Sequence, residues 1–177
     1  MLASVAKYCR RHENIAFHPA RAALLVLDMQ DYFLSEASHA FVPSAPVIIP
    51  NIQLMIKVFA AYNRPIFFTR HVNTEENAGM MGKWWKDLIC PQTAYSHIIK
   101  QLDTSKGAIL RKTQYDAFYE TRLESDLRAS GVGEVVITGV MTHLCCETTA
   151  RSAFMRGYEV FFAMDGTATY SESFHRA

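Results

Sequence analysis

Short apolar runs alternate with amphipathic segments along most of the chain. The runs occupy positions 22–27, 65–68, 108–110, 135–140 and 158–163, and each is largely apolar from end to end. A run of this length without polar alternation is typical of a strand buried on both faces of a parallel sheet. The hydrophobic pattern therefore predicts five buried strands.

Helical spacing fills three of the gaps between these runs. Apolar residues recur at steps of three and four in segments 48–59, 123–127 and 146–154, and Gly131 and Gly157 mark the ends of the last two helices. Strand–helix–strand repetition with short joints predicts an α/β fold. We expect a three-layer α/β/α sandwich around a central, mostly parallel, doubly wound sheet.

Two longer segments interrupt this alternation. Residues 35–46 form a proline-containing loop, and residues 72–91 carry two glycines and the pair Trp84 and Trp85. Loops of this length in a compact domain are often lids or binding loops, although the tryptophans could equally pack the insertion onto the body of the protein or onto a partner subunit. No segment has the composition of a linker, so residues 1–177 are predicted to form a single domain.

The overall composition excludes several classes of partner. With 18 basic and 17 acidic residues among 177, the chain has no electrostatic basis for binding nucleic acid or an anionic membrane. No apolar stretch approaches the ~20 residues that span a bilayer, and residues 1–14 lack the apolar region of a signal peptide. The few cysteines of this chain do not form a disulfide framework, so we expect reduced thiols and a cytoplasmic location.

Three predicted strands end at or just before a side chain that can take part in chemistry. These are the Asp28 carboxylate, the Lys112 amine and the Cys145 thiol. Because the carboxyl ends of parallel strands face one crevice in an open α/β sheet, we expect the three groups to meet there. A carboxylate can deprotonate a thiol whose pKa is lowered, and a nearby ammonium would keep the carboxylate ionised. The combination predicts an acyl-transfer site without a catalytic histidine.

The carboxylate and the amine also have structural interpretations. Asp28 could cap the turn that follows its strand, as we expect Gln30 and Asp31 to do. Lys112 could be a solvated charge at a strand end. Neither residue alone indicates catalysis; the prediction depends on their coming together with a thiol.

The adjacent cysteines are predicted to differ in role. Both should open a helix, whose N-terminus lowers a thiol pKa and offers free N–H groups to an oxyanion. Cys146 is in phase with the apolar stripe of that helix and should pack in the core, as we also expect for Cys9 and Cys90. Cys145 is turned about 100° away, towards the strand ends, which makes it the better candidate nucleophile.

Three sequence blocks resemble those of one hydrolase superfamily. They are PARAALLVLDMQDYF at 19–33, LRKTQYDAF at 110–118 and TGVMTHLC at 138–145. In order and separation, these blocks make the chain similar to the isochorismatase-like cysteine hydrolases, which include isochorismatase, nicotinamidase and N-carbamoylsarcosine amidase. The resemblance covers nearly the whole chain.

The resemblance implies a role for each member of the predicted cluster. Asp28 would be the general base, Cys145 the nucleophile and Lys112 the third member of a triad. The family has a cis peptide at the position of Val140 and Met141, which would direct the Met141 N–H, together with that of Cys145, at the oxyanion. Attack on an amide would give a thioester and release ammonia or an amine, and water would then hydrolyse the thioester.

Departures from the family pattern narrow the expected chemistry. True isochorismatases carry glycine where this chain has Cys145 and hydrolyse a vinyl ether without a thioester, so the cysteine favours C–N hydrolysis. Nicotinamidases bind a divalent metal through an Asp-x-His motif, but the corresponding residues here are Thr69, Arg70 and His71. The sequence therefore predicts neither a metal ion nor any other cofactor.

The substrate pocket should be lined from the crevice side of the sheet. The expected lining residues are Phe33, His71, Trp85, Tyr115, Phe118 and His143, with Met141 beside them. Arg70 could bind a substrate carboxylate or remain a surface charge. The chain ends at residues 173–177, where the family would continue with a helix and a last strand, so we expect those two elements to be absent.

These observations lead to one preferred function and two alternatives. We predict a hydrolase that cleaves a small amide or ureido C–N bond through Cys145, Asp28 and Lys112, and that assembles into a homo-oligomer, a dimer or a tetramer. Isochorismatase-type vinyl-ether hydrolysis is the first alternative, and a non-catalytic binding module that keeps the fold is the second. The expected partner is a small-molecule substrate, with no nucleic acid and no membrane.

Overall fold

A computed structural model describes residues 15–176, which form five strands and six α-helices. The strands are β1 (Ala22–Leu27), β2 (Ile66–His71), β3 (Ala108–Lys112), β4 (Glu134–Val140) and β5 (Glu159–Ala168). They pair in the order β3–β2–β1–β4–β5, and every pairing is parallel. The predicted α/β class with a parallel central sheet is confirmed.

The three helices predicted from apolar spacing are all present. The helices are α1 (Asp31–Leu34), α2 (Ala45–Ala61), α3 (Met81–Trp84), α4 (Leu123–Ala129), α5 (Glu147–Met155) and α6 (Glu172–Arg176). The spacing predicted α2, α4 and α5. Helix α2 begins earlier than the spacing indicated, because Pro46 lies in its first turn, where a proline interrupts no backbone hydrogen bond.

Side chains of β1 alternate between two hydrophobic cores. Leu24 and Val26 pack on one face of the sheet with residues of α2, and Leu25 and Leu27 pack on the other face with residues of α4 and α5. Successive side chains of a strand point to opposite faces, so a strand that is apolar throughout needs cover on both sides. The result is the predicted arrangement of helix, sheet and helix layers.

At the end of β4, the backbone approaches β1 closely, next to the predicted cluster of Asp28, Lys112 and Cys145. Gly139 has a φ of 110°, and a Cβ there would overlap the Leu27 carbonyl oxygen and lie 2.6 Å from the Leu27 nitrogen. Only glycine fits both this backbone conformation and this approach. The peptide bond between Val140 and Met141 is cis, and a π-helical turn at Thr142–Cys146 then leads into α5.

Some expectations concern residues or properties outside the sheet. The predictions for Cys9 and for the lack of an apolar signal region in residues 1–14 concern residues that the structure does not describe. Cys90 is a free thiol that is half-buried, whereas the sequence analysis placed it in the core. Within residues 15–176, no helix has both the length and the apolar character needed to cross a membrane.

Candidate active site

The structure brings Asp28, Lys112 and Cys145 together at the carboxyl ends of β1, β3 and β4. Asp28 Oδ2 lies 2.8 Å from Lys112 Nζ. The same Nζ donates a hydrogen bond to Cys145 Sγ over 3.4 Å. All three side chains are buried. A carboxylate, an ammonium and a thiol therefore share one enclosed site.

The Asp28 carboxylate is oriented by β2. The Asp28 backbone has a φ of 50°, in the left-handed region that aspartate tolerates better than most residues. Thr69 Oγ1 accepts the Asp28 N–H over 3.0 Å and donates a hydrogen bond to Oδ1 over 2.6 Å. Oδ2 faces Lys112 as an ion pair but accepts no well-directed hydrogen bond from the residues described. This oxygen therefore has a lone pair available for a proton.

The Lys112 ammonium also contacts a buried histidine. His71 and Lys112 are paired in the register of β2 and β3. Nζ lies 3.2 Å from His71 Nδ1 and donates to the Gln114 carbonyl over 2.8 Å. His71 Nε2 lies 2.7 Å from Asn73 Oδ1. These partners assign the neutral tautomer in which Nδ1 carries the lone pair and Nε2 carries the hydrogen.

Burial and neighbouring charges set the ionisation of this cluster. Burial alone would raise the pKa of Asp28, but the Lys112 ammonium, His71 and Cys145 together outweigh burial and hold this pKa below its ordinary value. Burial alone would lower the pKa of Lys112, but Asp28 and Cys145 together outweigh burial and raise this pKa. Burial lowers the pKa of His71 to about 4, and the positive charge of Lys112 adds to this effect. At neutral pH the site therefore holds an ion pair beside a neutral imidazole.

The Cys145 thiol is protonated at rest, which differs from the expectation of a lowered pKa. Burial raises the pKa of Cys145, and the Lys112 ammonium opposes only part of that increase. The residue lies in the π-helical turn Thr142–Cys146, which runs directly into α5, so burial rather than the helix N-terminus decides the direction of this pKa. Cys146 packs in the core beneath α4 and α5, where its phase placed it. In this environment the thiol holds its proton more tightly than the thiol of a free cysteine does.

A narrow pocket opens above the Cys145 sulfur. It is lined by Tyr32, Phe33, His71, Trp85, Asp87, Leu88, Ile89, Tyr115, Met141 and Cys145. The empty space is about 370 Å³ including the open mouth, but only about 20 Å³ admits the centre of a water molecule. Trp85 Nε1 donates to Tyr115 Oη over 3.1 Å, and this contact closes one wall. The volume suits a small ligand.

Four of the six predicted lining residues reach this pocket, and two lie elsewhere. The four are Phe33, His71, Trp85 and Tyr115. Phe118 packs in the core beneath α4 and α5 and stacks on Tyr158, because the chain after β3 turns to the opposite face of the sheet. His143 points away from the pocket, where its ring stacks on Phe174 and its Nδ1 lies 2.8 Å from Thr169 Oγ1.

Two polar residues support the site in ways that the sequence analysis did not predict. Gln30 was expected in a turn or cap, but it is fully buried, and its side chain accepts the His71 N–H over 2.7 Å and donates to the His71 carbonyl over 2.9 Å. The one feature of the sequence that could have indicated this role of Gln30 is its position as a polar residue close to the end of a buried strand.

Arg70 is neither a free surface charge nor directed at the pocket, since it donates to the carbonyls of Pro91 and Ser96. Asp31 begins α1.

The positions compared with the nicotinamidase metal motif are engaged in internal hydrogen bonds. Thr69 binds Asp28, and His71 binds Lys112. Within the described ranges, the one group of possible metal ligands with suitable spacing is His18, Glu134 and Glu159. Glu134 and Glu159 begin β4 and β5, so this group lies at the opposite end of the sheet from Cys145.

Comparisons with known proteins point to one family. The Isochorismatase domain family matches residues 22–177. Nicotinamidase 3 of Arabidopsis thaliana is 42% identical over 161 residues, which cover 88% of this chain and 77% of that protein. Enterobactin synthase component B of Escherichia coli (strain K12) is 32% identical over 163 residues, which cover 90% of this chain and 57% of that protein. The crystal structure of a cysteine hydrolase from Pseudomonas syringae pv. phaseolicola superposes with a TM-score of 0.84 at 26% identity and covers 88% of this chain and 76% of that chain.

The parallel sheet and the match to a family model over residues 22–177 define the class of this protein. The chain belongs to the isochorismatase family, a family of cysteine hydrolases with amide-cleaving relatives. The family expected from the three sequence blocks is therefore confirmed.

Proposed function

We propose that the protein is an amidohydrolase that cleaves a small amide or ureido C–N bond through a thioester on Cys145. One observation carries the proposal: Lys112 Nζ lies 2.8 Å from the Asp28 carboxylate and 3.4 Å from the Cys145 sulfur, beneath an apolar pocket. The 42% identity to a nicotinamidase supports amide chemistry. The predicted cytoplasmic location and the predicted dimer or tetramer remain predictions.

Acylation begins with transfer of the thiol proton to Asp28. As Cys145 Sγ forms a bond to the substrate carbonyl carbon, the proton moves to the carboxylate and the carbonyl oxygen becomes an oxyanion. The protonated Asp28 then gives this proton to the leaving nitrogen, the C–N bond breaks, and ammonia or an amine departs. An acyl thioester remains on Cys145. The N–H groups of Met141 and Cys145 are the proposed donors to the oxyanion.

In deacylation, the second half of the reaction, Asp28 again acts as the base. Asp28 takes a proton from water as the water oxygen attacks the thioester carbonyl. The C–S bond breaks, the sulfur regains the proton, and a carboxylic acid leaves. Lys112 keeps Asp28 ionised between steps and donates an N–H to the sulfur as negative charge develops there.

The two adjacent cysteines offer a matched test of this proposal. Wild type, Cys145→Ala and Cys146→Ala are assayed for ammonia release from a panel of small amides and for hydrolysis of isochorismate. We expect amide turnover that Cys145→Ala lowers by about 10³-fold or more and that Cys146→Ala lowers by less than about threefold, since only the first removes the nucleophile.

The other outcomes identify the alternatives. Isochorismate hydrolysis that survives Cys145→Ala but not Asp28→Asn would establish vinyl-ether chemistry instead. Absence of turnover in both assays would favour the non-catalytic binding module.

A further inference from the structure

We infer that Asp87, at the mouth of the pocket, selects against anionic substrates, so that the enzyme accepts neutral or cationic amides. This inference rests on the proposed amidohydrolase function and adds a charge requirement to it. The basis is the distribution of ionised groups around the pocket rather than its shape.

The lining of the pocket holds one ionised side chain. Aromatic and aliphatic side chains make up most of it, Asp87 is its only carboxylate, and none of the lysines or arginines of residues 15–176 belongs to it. The imidazole of His71 is uncharged at neutral pH because burial lowers its pKa to about 4. A substrate that enters therefore meets a single negative charge.

The nearby lysine and arginine side chains do not belong to the pocket lining. Lys112 lies below the pocket floor and is paired with Asp28 at 2.8 Å. Arg70 directs its guanidinium to backbone carbonyls of the loop that follows β2. Lys83, in α3, and Lys86, next to Asp87 in the chain, are exposed and do not belong to the lining.

Two neighbouring side chains contact Asp87. His39 Nδ1 lies 3.3 Å from Asp87 Oδ2. Tyr32 Oη lies 3.3 Å from His39 Nε2 and donates to the Asp87 carbonyl over 3.4 Å. The Asp87 side chain is nevertheless 58% exposed at the mouth. A ligand thus passes the carboxylate on its way to Cys145.

Like charges repel more strongly in a partly desolvated pocket than in water. A substrate with a carboxylate would lose hydration on entry and find no cation to replace it. A neutral aromatic amide loses little hydration on entry and gains apolar contacts with the pocket lining. A cationic aromatic amide is, in addition, attracted by the Asp87 carboxylate. Isochorismate carries two carboxylates, so the same charge distribution disfavours the vinyl-ether alternative.

Three probes of the same size separate charge from shape. They are isophthalamide (neutral), 3-carbamoylbenzoate (anionic) and 3-carbamoyl-1-methylpyridinium (cationic), each with the amide on a six-membered ring. The quantity measured is kcat/KM for ammonia release at pH 8 and low salt, for wild type, Asp87→Asn and Glu76→Gln. Glu76 is an exposed residue of the same segment and does not line the pocket. Glu76→Gln therefore removes one negative charge, as Asp87→Asn does, but away from the path of the substrate.

The two charged probes should respond in opposite directions. We expect Asp87→Asn to raise the anion-to-neutral ratio of kcat/KM about fivefold and to lower the cation-to-neutral ratio by a similar factor, and high salt to diminish both preferences in the wild type. Glu76→Gln should leave both ratios unchanged.

The possible failures are distinguishable. If Asp87→Asn moves both ratios in the same direction, or moves neither while amides are still hydrolysed, the role assigned to Asp87 is wrong and the amidohydrolase proposal stands. If the wild type hydrolyses no amide, the proposed function fails and the inference fails with it.

Discussion

The buried pair of Asp28 and Lys112 is the residue-scale feature on which the chemistry depends. Asp28→Asn preserves shape but removes the base and leaves the Lys112 ammonium buried without a counter-charge. We expect kcat to fall by about 10³-fold or more and the free energy of unfolding to fall by about 3–5 kcal/mol. Ammonia release and urea denaturation measure the two effects.

A second variant separates these two effects. Asp28→Asn combined with Lys112→Met removes both charges, so stability should recover in part while activity stays lost. Recovery of activity in the double variant would contradict the assignment of Asp28 as the base.

The neutral His71 makes stability depend on pH. Its pKa is about 4 in the folded protein against 6.5 for an ordinary histidine. Between these values the unfolded chain binds the proton and the folded protein does not, so stability falls as the pH drops from 6.5 to 4, by about 3 kcal/mol from this residue. Urea denaturation from pH 4 to 7 should show a shallower acid slope for His71→Asn than for the wild type.

An exposed histidine provides the control. His97 lies at the surface, and His97→Asn should keep the slope of the wild type. If His71→Asn has the same slope as the wild type, the imidazole is not held neutral by the fold.

Strand-end residues were predictable from sequence, whereas their partners were not. Asp28, Lys112 and Cys145 follow apolar runs, and parallel strands place such residues at one edge of a sheet. Which polar side chains turn inward to support them depends on the packing of neighbouring strands. Thr69 and Gln30 acquire their roles only from the positions of Asp28 and His71, and no spacing within one sequence encodes those positions.

At the scale of elements, the end of β4 positions the nucleophile, and Gly139 makes its approach to β1 possible. Gly139→Ala would place a Cβ against the Leu27 carbonyl at a φ of 110°. We expect a loss of about 3 kcal/mol or more in the free energy of unfolding, measured by urea denaturation.

A variant at Gly157 separates the cost of steric overlap from the cost of the backbone conformation. Gly157 also has a positive φ, 86°, but a Cβ there meets no atom within 4 Å. Gly157→Ala should therefore cost only about 1 kcal/mol. Equal losses for the two variants would show that the contact with β1 is unimportant.

Elements with a regular period were predictable, and irregular ones were not. The apolar runs located all five strands, but β5 continues to Ala168, beyond the run that ended at 163, with a register shift against β4 between Ile137 and Gly139. The π-helical turn depends on a hydrogen bond from the Cys146 N–H to the Met141 carbonyl. A π-helical turn has no apolar period of its own, so the sequence indicated a helix N-terminus there instead.

At the scale of the whole molecule, the insertion at residues 72–91 completes the pocket rather than lying apart from it. Trp85 packs against the core beneath α2 and contacts Tyr115, whereas Trp84 is 78% exposed. The sequence was compatible with a lid or binding loop and equally with tryptophans that pack the insertion onto the body or a partner subunit. Trp85 lines the pocket, and Met81 of the preceding α3 is buried.

Partition of the acyl group between water and hydroxylamine tests the central claim most directly. The wild type is supplied with a primary amide and with the N-methyl amide of the same acyl group. A common thioester on Cys145 predicts the same ratio of hydroxamate to carboxylic acid from both substrates and neither product from Cys145→Ala. A ratio that depends on the leaving group, or products formed undiminished by Cys145→Ala, would contradict the account.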